Sequence, residues 1–107
     1  MNRKQKLIAA AALAAVAATW AIPAQAGRTL NAVKSRGMVV CGVNTAAPGF
    51  SGADSRGHWK GLDVDICRAV AAAVLKDANK VKFVPLSSEQ RFTALQSGQI
   101  DILARNT

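Results

Sequence analysis

Three short apolar runs, separated by stretches with helical spacing, confine this chain to one broad architecture. The runs are Met38-Val39-Val40-Cys41-Gly42-Val43, Val81-Lys82-Phe83-Val84-Pro85 and Ile100-Asp101-Ile102-Leu103-Ala104. A short apolar run bounded by turn residues suits a strand buried on both faces, the habit of parallel sheets. Before the first run, Thr29 is placed to cap a helix that carries Leu30 and Val33 on one face and stops at Gly37. Between the first and second, Asp63 reads as an N-cap and Asp65 as an acidic first-turn residue. Cys67, Val70, Ala71 and Val74 share a face, and Lys76, Asn79 and Lys80 close the helix. Between the second and third, Ser87-x-x-Gln90 resembles a capping box, and Gly98 suits a left-handed stop. Helix and strand therefore alternate three times. Right-handed crossovers then predict an α/β fold with a three-layer parallel sheet. Residues 44–61, rich in Gly, Ser, Asp and Pro, read as a long loop with turns at Pro48-Gly49, Ser51-Gly52 and Arg56-Gly57.

The amino terminus follows a different logic. Arg3, Lys4 and Lys6 precede an apolar stretch from Leu7 to Ile22, and Ala24-Gln25-Ala26 has the small-x-small form of a signal-peptidase site. That stretch falls short of the roughly 20 residues a membrane-spanning helix needs. Residues 1–26 are thus expected to be a cleaved signal peptide, and residues 27–107 an exported mature portion in the periplasm. From Gly27 onward, 11 basic and 6 acidic residues leave a charge of +5. The basic residues are scattered among turns and helix ends without interleaved aromatics, so a solvated surface is expected and no nucleic-acid partner.

Cys41 and Cys67 are the only cysteines and His58 the only histidine. Zinc sites need four ligands at short paired spacings, so no metal is expected, and no sequence pattern calls for a cofactor. In an oxidising compartment the two cysteines can pair; equally, they can sit apart as buried apolar thiols.

Ligands of parallel α/β sheets bind outside the carboxyl ends of the strands, and the polar residues gather there. Asn44 and Thr45 leave the first strand, Ser88 and Arg91 open the helix after the second, and Arg105, Asn106 and Thr107 leave the third. These are hydrogen-bond donors with two guanidinium groups, a rim suited to an anion such as a carboxylate. Arg91 in a first helical turn opposes the helix dipole, and local rules tend to break at functional sites. Phe50 can belong to the core or wall the cleft. Asp63 and Asp65 do not face one another, and neither a nucleophile–base set nor a Gly-rich phosphate loop is present, so no enzyme activity is expected.

The segments Val40-Cys41-Gly42-Val43-Asn44, Gly61-Leu62-Asp63-Val64-Asp65 with the helix that follows to Val74, and Arg91-Phe92-Thr93-Ala94-Leu95-Gln96-Ser97-Gly98-Gln99-Ile100-Asp101 resemble periplasmic solute-binding proteins of polar amino-acid ABC transporters, above all the general L-amino-acid-binding type. The resemblance runs from Gly27 to Thr107. It implies the first part of lobe 1 of a two-lobed type II binding protein, an L-amino acid as ligand, an inner-membrane ABC permease as partner and a monomeric state. It further implies that Asn44 and its neighbours contact the ligand, that Ser88 and Arg91 face its side chain as in binders of acidic amino acids, and that Asn106 and Thr107 hold its α-carboxylate. Many relatives place an aromatic residue in the loop after the first strand, where this chain has Thr45-Ala46-Ala47-Pro48-Gly49 before Phe50. Relatives also continue into a carboxylate-clamping arginine and a second lobe, so this chain is expected to be an amino-terminal fragment. Two other functions fit the same resemblance: an exported dehydratase acting on a prephenate-like acid, and the sensor module of a receptor.

Overall fold

The computed structural model describes residues 2–19 and 27–106. Helix α1 spans Arg3–Thr19, and its Leu7, Ile8 and Leu13 are exposed. Among the described residues no helix is long and apolar enough to cross a membrane. The expected cleavage site at Ala24-Gln25-Ala26 lies outside the described residues, as does Thr107.

From Gly27 the order is α2 (Gly27–Arg36), β1 (Val39–Val43), a hairpin of β2 (Gly52–Ala53) and β3 (Trp59–Lys60), α3 (Leu62–Leu75), β4 (Val81–Pro85), α4 (Arg91–Gln96) and β5 (Ile102–Leu103). The parallel sheet has the order β4-β1-β5. Val39 to Val43 pair with Val81 to Pro85 on one side, and Cys41 and Gly42 with Ile102 and Leu103 on the other. Short β5 is extended by flanking bonds: the Asp101 N–H donates to the Val40 carbonyl at 2.8 Å and the Ala104 N–H to that of Gly42 at 2.9 Å.

Strand alternation sorts the side chains into two cores. Val39, Cys41 and Val43 face α2 and α3, where they meet Val33, Val64, Cys67 and Ala71. Val40, Val84 and Leu103 point to the opposite face, against Leu86, Ala94 and Ile100. The result is the expected three layers, with α2 and α3 on one side of the sheet and α4 on the other. Gly42 makes room for the core on the α4 side. A Cβ there would lie 2.6 Å from Ile100 Cδ1 and 2.9 Å from Leu86 Cδ1, so the glycine lets α4 and its flanking loops close onto the central strand.

Cys41 and Cys67 form a disulfide with Cα atoms 6.3 Å apart, which settles the alternative left open by their spacing. Both residues are fully buried, so the bond ties the central strand to α3 inside the core.

Several local expectations need correction. Asp63 does not cap α3: Gly61 holds the N-cap position at φ 130°, without a side-chain cap. A Cβ on Gly61 would lie 2.2 Å from the Phe50 carbonyl oxygen, so the loop backbone occupies the space any cap side chain would need. Helix α2 already includes Thr29, which therefore is not its cap. Ser51-Gly52 is not a turn but the start of the hairpin. The Ser87–Gln90 capping box forms, with the Gln90 N–H donating to Ser87 Oγ at 3.2 Å and the Ser87 N–H to Gln90 Oε1 at 3.4 Å. It organises the turn ahead of α4, so the helix itself begins at Arg91.

Candidate ligand-binding rim

In the order β4-β1-β5, the connection from β1 leads to one side of the sheet and β5 returns to the other. The carboxyl ends of β1 and β5 thus flank the topological switch point, where open α/β sheets form a crevice. Two asparagines meet there. Asn44 Nδ2, one residue past β1, donates to Asn106 Oδ1 at 3.0 Å. Asn44 Oδ1 accepts the Ala46 N–H at 3.4 Å and the Thr45 hydroxyl at 3.5 Å, folding the loop back over the strand end.

The two arginines reach the same place with different consequences. Arg91, first in α4, donates through Nη1 to the Asn106 carbonyl at 2.9 Å, and its guanidinium lies 4.7 Å from the centroid of the Phe92 ring. Its Nε is buried and has no hydrogen-bond partner. Leaving a buried cationic donor unpaired is costly, so this pose of Arg91 leaves one of its donors unserved by the chain. Arg105 is engaged by the protein itself: Nη1 donates to the Leu86 carbonyl, Nη2 to Ser88 Oγ at 3.2 Å, and Nε to the Asn106 carbonyl at 3.4 Å. It braces the β4–α4 loop against the exit of β5.

Of the residues expected to gather, the structure therefore joins Asn44, Thr45, Ser88, Arg91, Arg105 and Asn106 through direct hydrogen bonds. Phe50 is half exposed in the turn of residues 48–50, and no hydrogen bond links it to this network; its carbonyl accepts the Asp63 N–H at 2.9 Å. His58 is away from the rim, beside Asp54 at the hairpin turn. Among the described residues, the hydrogen-bond partners of the rim groups include neither a carboxylate nor an imidazole.

Two residues with structural work at the strand ends went unread in the sequence. Asp101 Oδ2 accepts the Val40 N–H at 2.8 Å and pairs with Arg36, which also donates to the Met38 carbonyl at 3.0 Å. Ser51 Oγ donates to the Asn44 carbonyl at 3.0 Å. A lone aspartate after a glycine stop signalled the first only as part of a motif, and nothing in the sequence signalled the second.

A parallel sheet with a 2-1-3 order, helices on both faces and a donor-rich rim at its switch point defines an α/β ligand-binding lobe. Residues 39–107 match the family of bacterial extracellular solute-binding proteins, family 3, and the chain belongs to it. The general L-amino acid-binding periplasmic protein AapJ of Rhizobium johnstonii is 55% identical over 104 residues, 97% of this chain and 30% of that protein. The glutamate/glutamine/aspartate/asparagine-binding protein BztA of Rhodobacter capsulatus is 48% identical over 105 residues, 98% of this chain and again 30% of the relative. Among solved structures, an ABC transporter periplasmic binding protein from Brucella ovis with glutathione bound superposes with a TM-score of 0.72 at 56% identity, over 74% of this chain and 25% of that one. The chain thus spans about 30% of the length of the curated relatives it matches.

Proposed function

We propose that this protein captures L-amino acids in the periplasm for delivery to an inner-membrane ABC permease, with no chemistry of its own, and that residues 1–26 are the signal peptide that exports it. The observation that carries this reading is Arg91: a buried guanidinium nitrogen without a partner, set at the switch-point crevice beside Asn44 and Asn106. A carboxylate accepts from an arginine fork in bidentate geometry, and in this reading a turn of the Arg91 side chain presents the buried nitrogen to it. In this reading Asn44, Thr45, Ser88, Arg91, Asn106 and Thr107 contact ligand, Phe50 walls the approach, and Arg105 shapes the site while its donors serve the protein. In this reading the protein acts as a monomer.

The relatives support an α-amino acid group as the feature recognised. AapJ and BztA are named for amino acids, and glutathione, bound in the Brucella protein, carries a free α-amino acid at its γ-glutamyl end. Titration calorimetry of the full-length protein against glutamate, aspartate, glutamine, asparagine, neutral amino acids and glutathione should give micromolar or tighter affinity for at least one. The same compounds with the α-carboxylate amidated should bind far more weakly. Failure across the whole panel would overturn the proposal.

A further inference from the structure

We propose that Ser51 is a positioning residue for this rim, its buried hydroxyl setting the pose of Asn44 and, through it, of the groups that meet ligand; the inference rests on the binding reading above. Ser51 is 1% exposed, the one polar side chain among the described residues to be buried as deeply as the core. Its hydroxyl donates to the Asn44 carbonyl, which has no other donor among the described residues.

Backbone bonds close the segment around this contact. The Ala47 N–H donates to the Ser51 carbonyl, and the Phe50 and Ser51 N–H groups both donate to the Ala47 carbonyl, each at 2.9 Å. From the other side, the Leu62 N–H donates to the Gly49 carbonyl at 3.0 Å and the Asp63 N–H to the Phe50 carbonyl at 2.9 Å, so the loop is seated on the first turn of α3. What these bonds leave free is the junction with β1 at Asn44, and the Ser51 hydroxyl fixes that point. From there the contacts run to the rim: Asn44 Nδ2 to Asn106 Oδ1, and the Asn106 carbonyl to Arg91. At this depth water does not readily replace a deleted hydroxyl, so the Asn44 carbonyl loses its partner and the loop rotates to find another.

The test compares the protein with Ser51→Ala, Ser51→Thr and, as a control of folding stability alone, Val33→Ala, which truncates a core side chain under α2. Measured well below each melting temperature, Ser51→Ala should weaken affinity for the tightest amino acid of the panel about tenfold. Ser51→Thr, which keeps the hydroxyl, should recover to within about threefold, and Val33→Ala should stay within about twofold despite a lower melting temperature. Without ligand, Ser51→Ala should also speed hydrogen exchange at the Ala46 N–H, which the Asn44 side chain holds. An affinity for Ser51→Ala within twofold of wild type, or a Val33→Ala loss as large as that of Ser51→Ala, overturns the positioning role. If wild type binds nothing in the panel, the binding reading fails by itself; the exchange measurement then decides whether Ser51 fixes Asn44, and an unchanged rate overturns it.

Discussion

Replacing Arg91 with alanine removes the charged donor that most needs an outside acceptor. A hydrogen bond to a charged group contributes about 2 kcal/mol, so affinity in calorimetry should fall about 30-fold. Arg91→Lys should recover only part of it, because an ammonium keeps the charge and loses the planar fork. Asp101 offers a contrast, a carboxylate whose work is internal. Asp101→Ala leaves the Val40 N–H without its acceptor and Arg36 without its partner; it should cost about 1–3 kcal/mol in denaturant unfolding, and Asp101→Asn, which keeps an acceptor, distinctly less. Arg91 stood out in the sequence by its place against the helix dipole, whereas Asp101 entered only as one member of a motif. Only the fold separates the one with a spare donor from the one already satisfied. Arg105 makes a related point: residue type and position suggested an anion ligand, and the fold also sets three of its five donors against the Leu86 carbonyl, the Ser88 hydroxyl and the Asn106 carbonyl.

At the scale of elements, the β2–β3 hairpin carries its own electrostatic support. The Asp54 side chain accepts the His58 and Arg56 N–H groups, each at 2.9 Å, with His58 and Lys60 nearby. The bond from the His58 backbone is the chief cause that holds the Asp54 carboxyl below its ordinary value, with the Arg56 N–H and the charges of His58 and Lys60 adding to it against a desolvation that raises it. A depressed carboxylate stabilises the folded state above its unfolded pKa, and the effect is lost as pH falls through the folded value. Carboxyl NMR should therefore show Asp54 titrating below an ordinary aspartate, and the protection of the Arg56 and His58 amides against exchange should fall on acidification through that midpoint. The join of hairpin to α3 depends on Gly61. With φ at 130° and the Phe50 carbonyl in the way, Gly61→Ala should destabilise the chain by about 2–3 kcal/mol in chemical unfolding. Element types and order were legible from periodicity. Element starts were not: α3 and α4 begin where loop backbone and a capping turn leave room.

For the whole molecule, the Cys41–Cys67 bond spans a sequence separation of 26 and links the sheet's central strand to α3. In the chain-entropy account such a loop stabilises by about 3 kcal/mol. The double variant Cys41→Ala/Cys67→Ala should lower the unfolding midpoint accordingly, with reductant having no further effect on it. On the opposite face, Gly42→Ala should cost about 1–2 kcal/mol by overpacking against Ile100 and Leu86, read as a lower melting temperature with the strand order unchanged.

The sequence by itself determined the alternation of helices and strands, hence the parallel three-layer sheet, and the residue types waiting at the strand ends. Those are local properties, set by periodicity, turn chemistry and the handedness of crossovers. Tertiary structure alone decided that the cysteines meet, that β1 lies between β4 and β5 so Asn44 finds Asn106, that Arg105 reaches the β4–α4 loop while Arg91 Nε finds no partner, and that Ser51 is buried beneath the loop. Each is a contact between segments distant in the chain, where the deciding quantity is which donor reaches which acceptor first, and no local pattern records that.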